Sequence, residues 1–262
     1  MKNRIILFVS LIALIIIFGL TLPNKKAKVV VCDVGQGDAI LATYKNIQIL
    51  VDVGPNNKKV LTCLDRHIPF WDKTIEVVIL THGDSDHVGG LDDILRSYKV
   101  SNFYSNGLLG KDIEQKIYSK KIGQNDVISI NMFDFEVVNP GKNEEGLMDE
   151  NKNAVAGVLD YKGEEKWSIF LSGDIEKETE QRLVWREILK KQVDVLKVSH
   201  HGSESATSEE ILDFLKPKMA VISVGVNNRF GHPRGEVLER LNKRDIEIER
   251  TDEVGDVVFN LN

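Results

Sequence analysis

Cysteine is nearly absent: Cys32 and Cys63 are the only two in 262 residues. Two thiols cannot build the disulfide framework of a small secreted scaffold. Each is flanked by apolar residues and reads as a small buried hydrophobe, with a single bridge between them left open. A basic excess is missing as well. Lys and Arg total 34 against 40 Asp and Glu, a formal charge of −6. That balance argues against a duplex-DNA binder with a broad basic face, but not against a small phosphate ester or a short single strand. Internal repeats and low-complexity segments are lacking, so solenoids and disordered tracts are set aside.

Only one stretch is long and apolar enough to suggest a membrane. Ile5 to Leu22 carries no charge and, at about 18 residues, meets the lower length for a span. Leu20-Thr21-Leu22-Pro23 offers no small-x-small cleavage site, and no cysteine follows for lipid attachment. Residues 1–24 are therefore expected to be an uncleaved single-pass anchor, in preference to a cleaved signal that would leave a secreted protein. Lys2 and Arg4 favour a cytoplasmic amino terminus, against the opposing pull of Lys25, Lys26 and Lys28. The expectation is a cell-membrane protein with its domain, 25–262, outside. Nothing marks an obligate protein partner.

That domain reads as α/β. Strands are expected at Lys28–Val34, Ala39–Tyr44 and Ile47–Val53, then a helix over Lys59–Arg66 and a buried strand at Ile75–Leu80. A strand at Val100–Tyr104, a helix over Lys111–Ser119 and a hairpin of Asp126–Ile130 with Phe133–Val138 follow. Ala154–Tyr161 and Trp167–Leu171 pair next, before an amphipathic helix over Ile175–Leu189. The last third alternates: strand Val193–Val198, a helix capped by Ser208 with Ile211, Leu212 and Leu215 inward, strand Met219–Val224, and a helix from His232-Pro233 to Leu241. Ile246–Ile248 and Val257–Phe259 close the sheet. This order predicts two sheets packed face to face with helices outside.

The chemistry concentrates at strand ends. Thr81-His82-Gly83-Asp84-Ser85-Asp86-His87-Val88-Gly89-Gly90 follows the Ile75–Leu80 strand and sets two histidines and two aspartates within six residues. In an extended loop, positions i, i+2 and i+4 point one way, so His82, Asp84 and Asp86 are expected to converge, with His87 facing a neighbouring space. Imidazole with carboxylate suits Zn²⁺, Mn²⁺ or Fe²⁺. A solvated acidic turn needs neither histidine. Asp174 follows Ser172-Gly173, and His200-His201 follows Val198-Ser199, each at the end of another strand. Adjacent histidines point different ways, so one would face metal and the other substrate. The loop Asn227-Asn228-Arg229-Phe230-Gly231-His232-Pro233-Arg234 offers amide, guanidinium and imidazole groups to an anion, or is simply a polar loop with a helix-starting proline.

Taken together, His-x-Asp-x-Asp-His, Ser172-Gly173-Asp174 and His200-His201-Gly202-Ser203 resemble the metallo-β-lactamase superfamily. With Asp33-Val34-Gly35-Gln36-Gly37-Asp38, Asp194 to Ser203 and Gly231-His232-Pro233, the resemblance narrows to the carboxyl-terminal domain of ComEC-type late-competence DNA-uptake proteins. It runs from about Val29 to Phe259. The resemblance implies a four-layer αββα sandwich and a site for two divalent ions. His82 and Asp84 would hold one, Asp86, His87 and His201 the other, and Asp174 would bridge. His200, with Asp86, would be catalytic, as proton donor or phosphate contact; Asp52 would orient a ligand histidine. Arg229, His232 and Asn228 would meet substrate. Many members have His where Asp84 stands, so Mn²⁺ becomes plausible beside Zn²⁺. No histidine lies between His87 and His200, which leaves Asn153 or water to complete one site. The one apolar run rules out the multi-span pore of those proteins.

The function expected is a membrane-anchored, metal-dependent hydrolase that uses a hydroxide made available between two cations. The resemblance to a nuclease-like domain implies a phosphodiester substrate, with single-stranded DNA as a candidate; the Arg229/Arg234 loop and, weakly, Lys197 suit phosphate, and such an enzyme would be a nuclease. A hydrolase of another ester, a cell-wall phosphorylcholine ester or a lactone, is the alternative. A metal-binding, DNA-binding module without turnover is a third.

Overall fold

The computed structural model describes residues 8–12, 26–141 and 151–262. Residues 8–12 are helical. Most of the expected anchor lies outside the described residues. Among those described, no helix is long and apolar enough to cross a membrane.

The described chain forms two seven-stranded sheets. The first is built from β1 (Ala27–Val31), β2 (Ile40–Tyr44), β3 (Ile47–Val51), β4 (Thr74–Leu80), β5 (Lys99–Ser105), β6 (Ser119–Lys121) and β14 (Val257–Leu261), in the order β14-β1-β2-β3-β4-β5-β6. The second runs β13-β12-β11-β10-β9-β8-β7, from β7 (Val127–Ile130), β8 (Phe133–Asn139), β9 (Ala156–Tyr161), β10 (Trp167–Leu171), β11 (Val195–Lys197), β12 (Met219–Ile222) and β13 (Glu247–Arg250). Both are mixed. β3, β4, β5 and β6 run parallel, as do β10 to β13.

Strand alternation explains the layers. Val29 and Val31, Ile49 and Val51, Ile169 and Leu171 enter one core together with Phe133, Phe135 and Val221, so these faces of the two sheets meet. The intervening Val30 and Leu50 point the other way, onto α1 (Lys59–His67) and α3 (Leu91–Ser97). Phe170, Leu196 and Ile222 turn outward under α5 (Lys177–Trp185), α6 (Glu209–Leu215) and α7 (Gly235–Asn242). Both faces of each central strand are covered, which is why these strands read as nearly continuous apolar runs. The result is the expected αββα order.

Several details differ from expectation. The helix predicted over Lys111–Ser119 is only one turn, α4 (Lys111–Glu114), because Ser119 is taken into edge strand β6 opposite Phe103. α5 ends at Trp185, where Glu187 adopts a left-handed φ of 53°. The two last strands do not close one sheet. β13 edges the second sheet, the turn α8 (Thr251–Val254) reverses the chain, and β14 edges the first. Cys32 and Cys63 are buried, as read, but they are also bonded. β1 and α1 lie side by side in the outer core, bringing the two Cα atoms to 5.8 Å, a separation a disulfide accepts. Ser208 does cap α6, its side chain accepting from Ile211 N–H at 3.3 Å.

Candidate metal centre

The carboxyl ends of β4, β10, β11 and β12 share one edge of the sandwich, the usual place for chemistry in parallel α/β sheets. β4 delivers His82 and its neighbours, β10 Asp174, β11 the pair His200-His201, and β12 the loop from Gly225 to Gly231. Residues far apart in sequence therefore meet without any one segment containing a site.

After His82 the chain does not stay extended. It winds into a single helical turn, α2 (Ser85–Val88), with His87 N–H bonded to Asp84 O at 2.9 Å. Two-residue alternation fails there, and the grouping changes. His82, His87 and Asp174 come together, and so do Asp86, His87 and His201. His87 Nε2 lies 3.3 Å from Asp174 Oδ1, and His201 Nε2 lies 3.4 Å from Asp174 Oδ2 and 3.3 Å from Asp86 Oδ2. Asp84 sits further out, its side chain 46% exposed and 3.6 Å from His82 Nε2. His200 Nε2 approaches Asp174 Oδ2 at 3.8 Å from the solvent side.

Each inner imidazole is locked by its other nitrogen. Asp52 accepts from Thr81 N–H at 2.8 Å and from Thr81 Oγ1–H at 2.7 Å, and its Oδ2 lies 2.7 Å from His87 Nδ1. With its hydrogen given to Asp52, Thr81 Oγ1 is left to accept from His82 Nδ1 at 2.9 Å. His201 Nδ1 faces Ser223 O at 2.9 Å. One hydrogen on each Nδ1 turns each Nε2 inward, free to present a lone pair once it gives up its proton, the arrangement by which outer carboxylates and carbonyls orient metal-binding histidines. His82 Nε2, His87 Nε2, His201 Nε2 and Asp174 Oδ1 are buried and have no hydrogen-bond partner among the described residues. Leaving such atoms unmatched costs roughly 1–3 kcal/mol each. Nitrogen and carboxylate donors of this kind fit divalent cations.

Charge follows the same pattern. Burial works against an imidazolium at His201, but Asp174 and then Asp38 overcome it and push its pKa up to about 9. His87 is raised well above its ordinary value, Asp174 and Asp52 outweighing burial. Burial opposes ionisation of Asp174 too, yet His201 and His87 hold it well below the usual carboxylate range. Asp86 is lowered in the same way, the neighbouring His201 and His87 outweighing burial. His232 goes the other way, to about 4, through burial and then the nearby His200 and His201.

Other residues support the cluster, and two kinds of surprise emerge. Lys197 does not reach toward a phosphate. It is completely buried, donating to Asp38 Oδ2 at 2.7 Å and to Val198 O at 3.0 Å. Asp38 thereby pins the Gly35–Asp38 loop against β11, and Gly37 makes that possible: a Cβ there would fall 2.2 Å from Asp86 O. Glu180 of α5, also missed, is fully buried. It accepts from Ser199 Oγ at 2.7 Å, Thr207 N–H at 2.9 Å and Ser208 N–H at 2.6 Å. It braces the turn in which His200 and His201 hold left-handed φ values of 47° and 54°, a strain that persists only when surroundings enforce it. An acidic residue on the inner face of a predicted helix was the available signal. Asn153 is buried, its carbonyl accepting from Asn106 Nδ2 at 3.0 Å.

The loop after β12 forms one wall of an open cleft of about 630 Å³, lined by Gln36, Asp84, Ser85, Asp86, Asn228, Arg229 and Phe230. Asn228 engages its own loop: Nδ2 donates to Gly225 O and His232 O at 3.1 and 2.7 Å, and Oδ1 accepts from His232 N–H at 3.0 Å. It positions Arg229 and His232 more than it offers itself.

The family model of the metallo-β-lactamase superfamily matches residues 32–127. The sequence is also similar to competence proteins. It is 31% identical over 272 residues to ComE operon protein 3 of Bacillus subtilis, covering 90% of this chain and 33% of that protein. It is 30% identical over 244 residues to Recombination protein 2 of Haemophilus influenzae, covering 87% of this chain and 28% of that one. The chain thus spans about a third of the length of these relatives. Among solved structures, Igni18, a metallo hydrolase of Ignicoccus hospitalis, shares the fold with a TM-score of 0.61 at 16% identity, over 90% of this chain and 100% of that one.

Proposed function

We propose that this chain is a metal-dependent phosphodiesterase acting on single-stranded DNA, held outside the cell membrane by an anchor in residues 1–24. One observation carries the hydrolytic reading. Three buried imidazole nitrogens and an Asp174 oxygen face one another, each unpartnered among the described residues. We assign His82 and Asp84 to one divalent ion, Asp86, His87 and His201 to a second, and Asp174 to both; Zn²⁺ and Mn²⁺ are the candidates. When bound, such ions supply Lewis acidity and a water acidic enough to ionise near neutral pH.

The chain's own residues do the rest. Asp52 and Ser223 fix the imidazole orientations. Asp86 lines the cleft 3.3 Å from His201 Nε2, where its carboxylate would hold the second ion and orient the attacking water. His200, half-buried beside Asp174, is placed to give a proton to the departing oxygen. The exposed Arg229 guanidinium offers charge and two donors to a phosphate. The acidic net charge argues against a duplex held on a broad basic surface. The buried Cys32–Cys63 bridge supports an oxidising location.

The test is a substrate panel with Zn²⁺ or Mn²⁺: bis-p-nitrophenyl phosphate, single-stranded DNA, phosphorylcholine esters and a lactone. Cleavage of the first two, abolished in Asp174→Ala, is expected. Preference for a phosphorylcholine ester or lactone would move the substrate to another ester. No turnover by metal-loaded protein would leave a binding module.

A further inference from the structure

One wall of the cleft is built from groups that the hydrolytic step does not need. Phe230 is a large apolar side chain left 44% exposed at its lip. Its ring is stacked on His232, with centroids 5.7 Å apart and planes inclined by 25°. The Arg229 guanidinium lies over the same ring, 4.9 Å from its centroid. His232 in turn meets His200 edge-on at 6.0 Å, and His200 reaches Asp174. A continuous file of flat groups therefore leads from the cleft mouth to the metal-binding cluster. The loop is not free to fold this file away, because the Asn228 side chain ties Gly225 to His232.

We infer that the Arg229–Phe230 stack is a platform for an unpaired nucleobase next to the phosphate that is cut. This inference rests on the phosphodiester reading and narrows it to single strands. A ring held in place on the wall of a polar cleft offers a planar apolar surface to a flat ligand. Single-strand sites combine an aromatic face, which takes any base, with a cation that follows the backbone. Guanidinium planes stack on bases in the same way. Bases inside a duplex are already stacked on both faces, so a duplex gains nothing from this wall. The platform is sequence-tolerant, since no hydrogen-bonding edge is read.

The experiment compares two strands of equal length, a phosphorothioate-linked oligothymidylate and its abasic counterpart, binding to the full-length, metal-loaded chain by fluorescence anisotropy. Wild type is expected to prefer the base-bearing strand about tenfold, the worth of one stacked base. Phe230→Ala should bring the two affinities together by weakening only the thymidylate, and Phe230→Trp should keep the preference. Equal binding of both strands by wild type, or a preference surviving Phe230→Ala, would overturn the platform while leaving the phosphodiester reading intact. Binding of neither strand overturns both. Loss of abasic binding in Phe230→Ala, or a lowered melting temperature, would show a structural role instead and would also overturn the inference.

Discussion

Asp52 has no place in the cleft, yet three of its bonds set the geometry of two histidines. Asp52→Asn should keep the fold and lower metal affinity about 10- to 100-fold, the usual effect of removing a residue that orients a metal-binding histidine; competition against a chromophoric chelator measures it. Unchanged affinity would show that His87 is held by packing alone. Asp52 was legible only through the family resemblance. His82, His87, Asp174 and His201 were legible from the residues themselves, each following the end of a strand. Asp38, Lys197 and Glu180 were not. Asp38 and Lys197 are 159 positions apart by their numbering and only 2.7 Å apart in space, and a lysine beside an active-site motif looks the same on paper whether it faces phosphate or a buried partner. Burial reverses its meaning.

At the scale of elements, the strands were the most legible feature, since both faces of each central strand are apolar and turn residues separate them. What sequence left undecided was partnership. Nothing local tells Val257–Leu261 to pair with Ala27–Val31, or Ser119–Lys121 to leave a helix for a sheet edge. The short turn at Ser85–Val88 was also hidden, and it brings His87 round to group with His82 and Asp174. The same limit hid the disulfide, because β1 and α1 become neighbours only through the outer core. Cys32→Ser with Cys63→Ser should lower stability by about 2–4 kcal/mol, read as a shift in the urea midpoint that dithiothreitol reproduces in wild type. A midpoint insensitive to reductant would mean that the thiols do not pair in solution.

The whole molecule is organised so that one edge of the sandwich gathers negative carboxylates and three buried imidazoles in a space that protons or cations must balance. In the metal-free chain protons do so. His201 holds its proton up to about pH 9, and His87 is raised likewise, whereas an unfolded histidine releases its proton near 6.5. The folded state therefore binds more protons between these values. The stabilisation is complete below about pH 6.5 and is lost as pH rises through about 9. Urea unfolding of chelator-treated protein should show a falling midpoint across this window, and His201→Asn should flatten it. Metal affinity should rise over the same range, because each ion displaces protons. A flat profile in the metal-free protein would mean that these imidazoles are neutral throughout.

The most direct measurement is the metal content of the purified chain, paired with its melting temperature before and after chelation. About two equivalents of Zn²⁺ or Mn²⁺ per chain, falling below one in Asp174→Ala, with a clear drop in wild-type melting temperature on chelation, is the predicted result. A chain that carries no divalent ion, takes none up, and melts at the same temperature with and without chelator would contradict it.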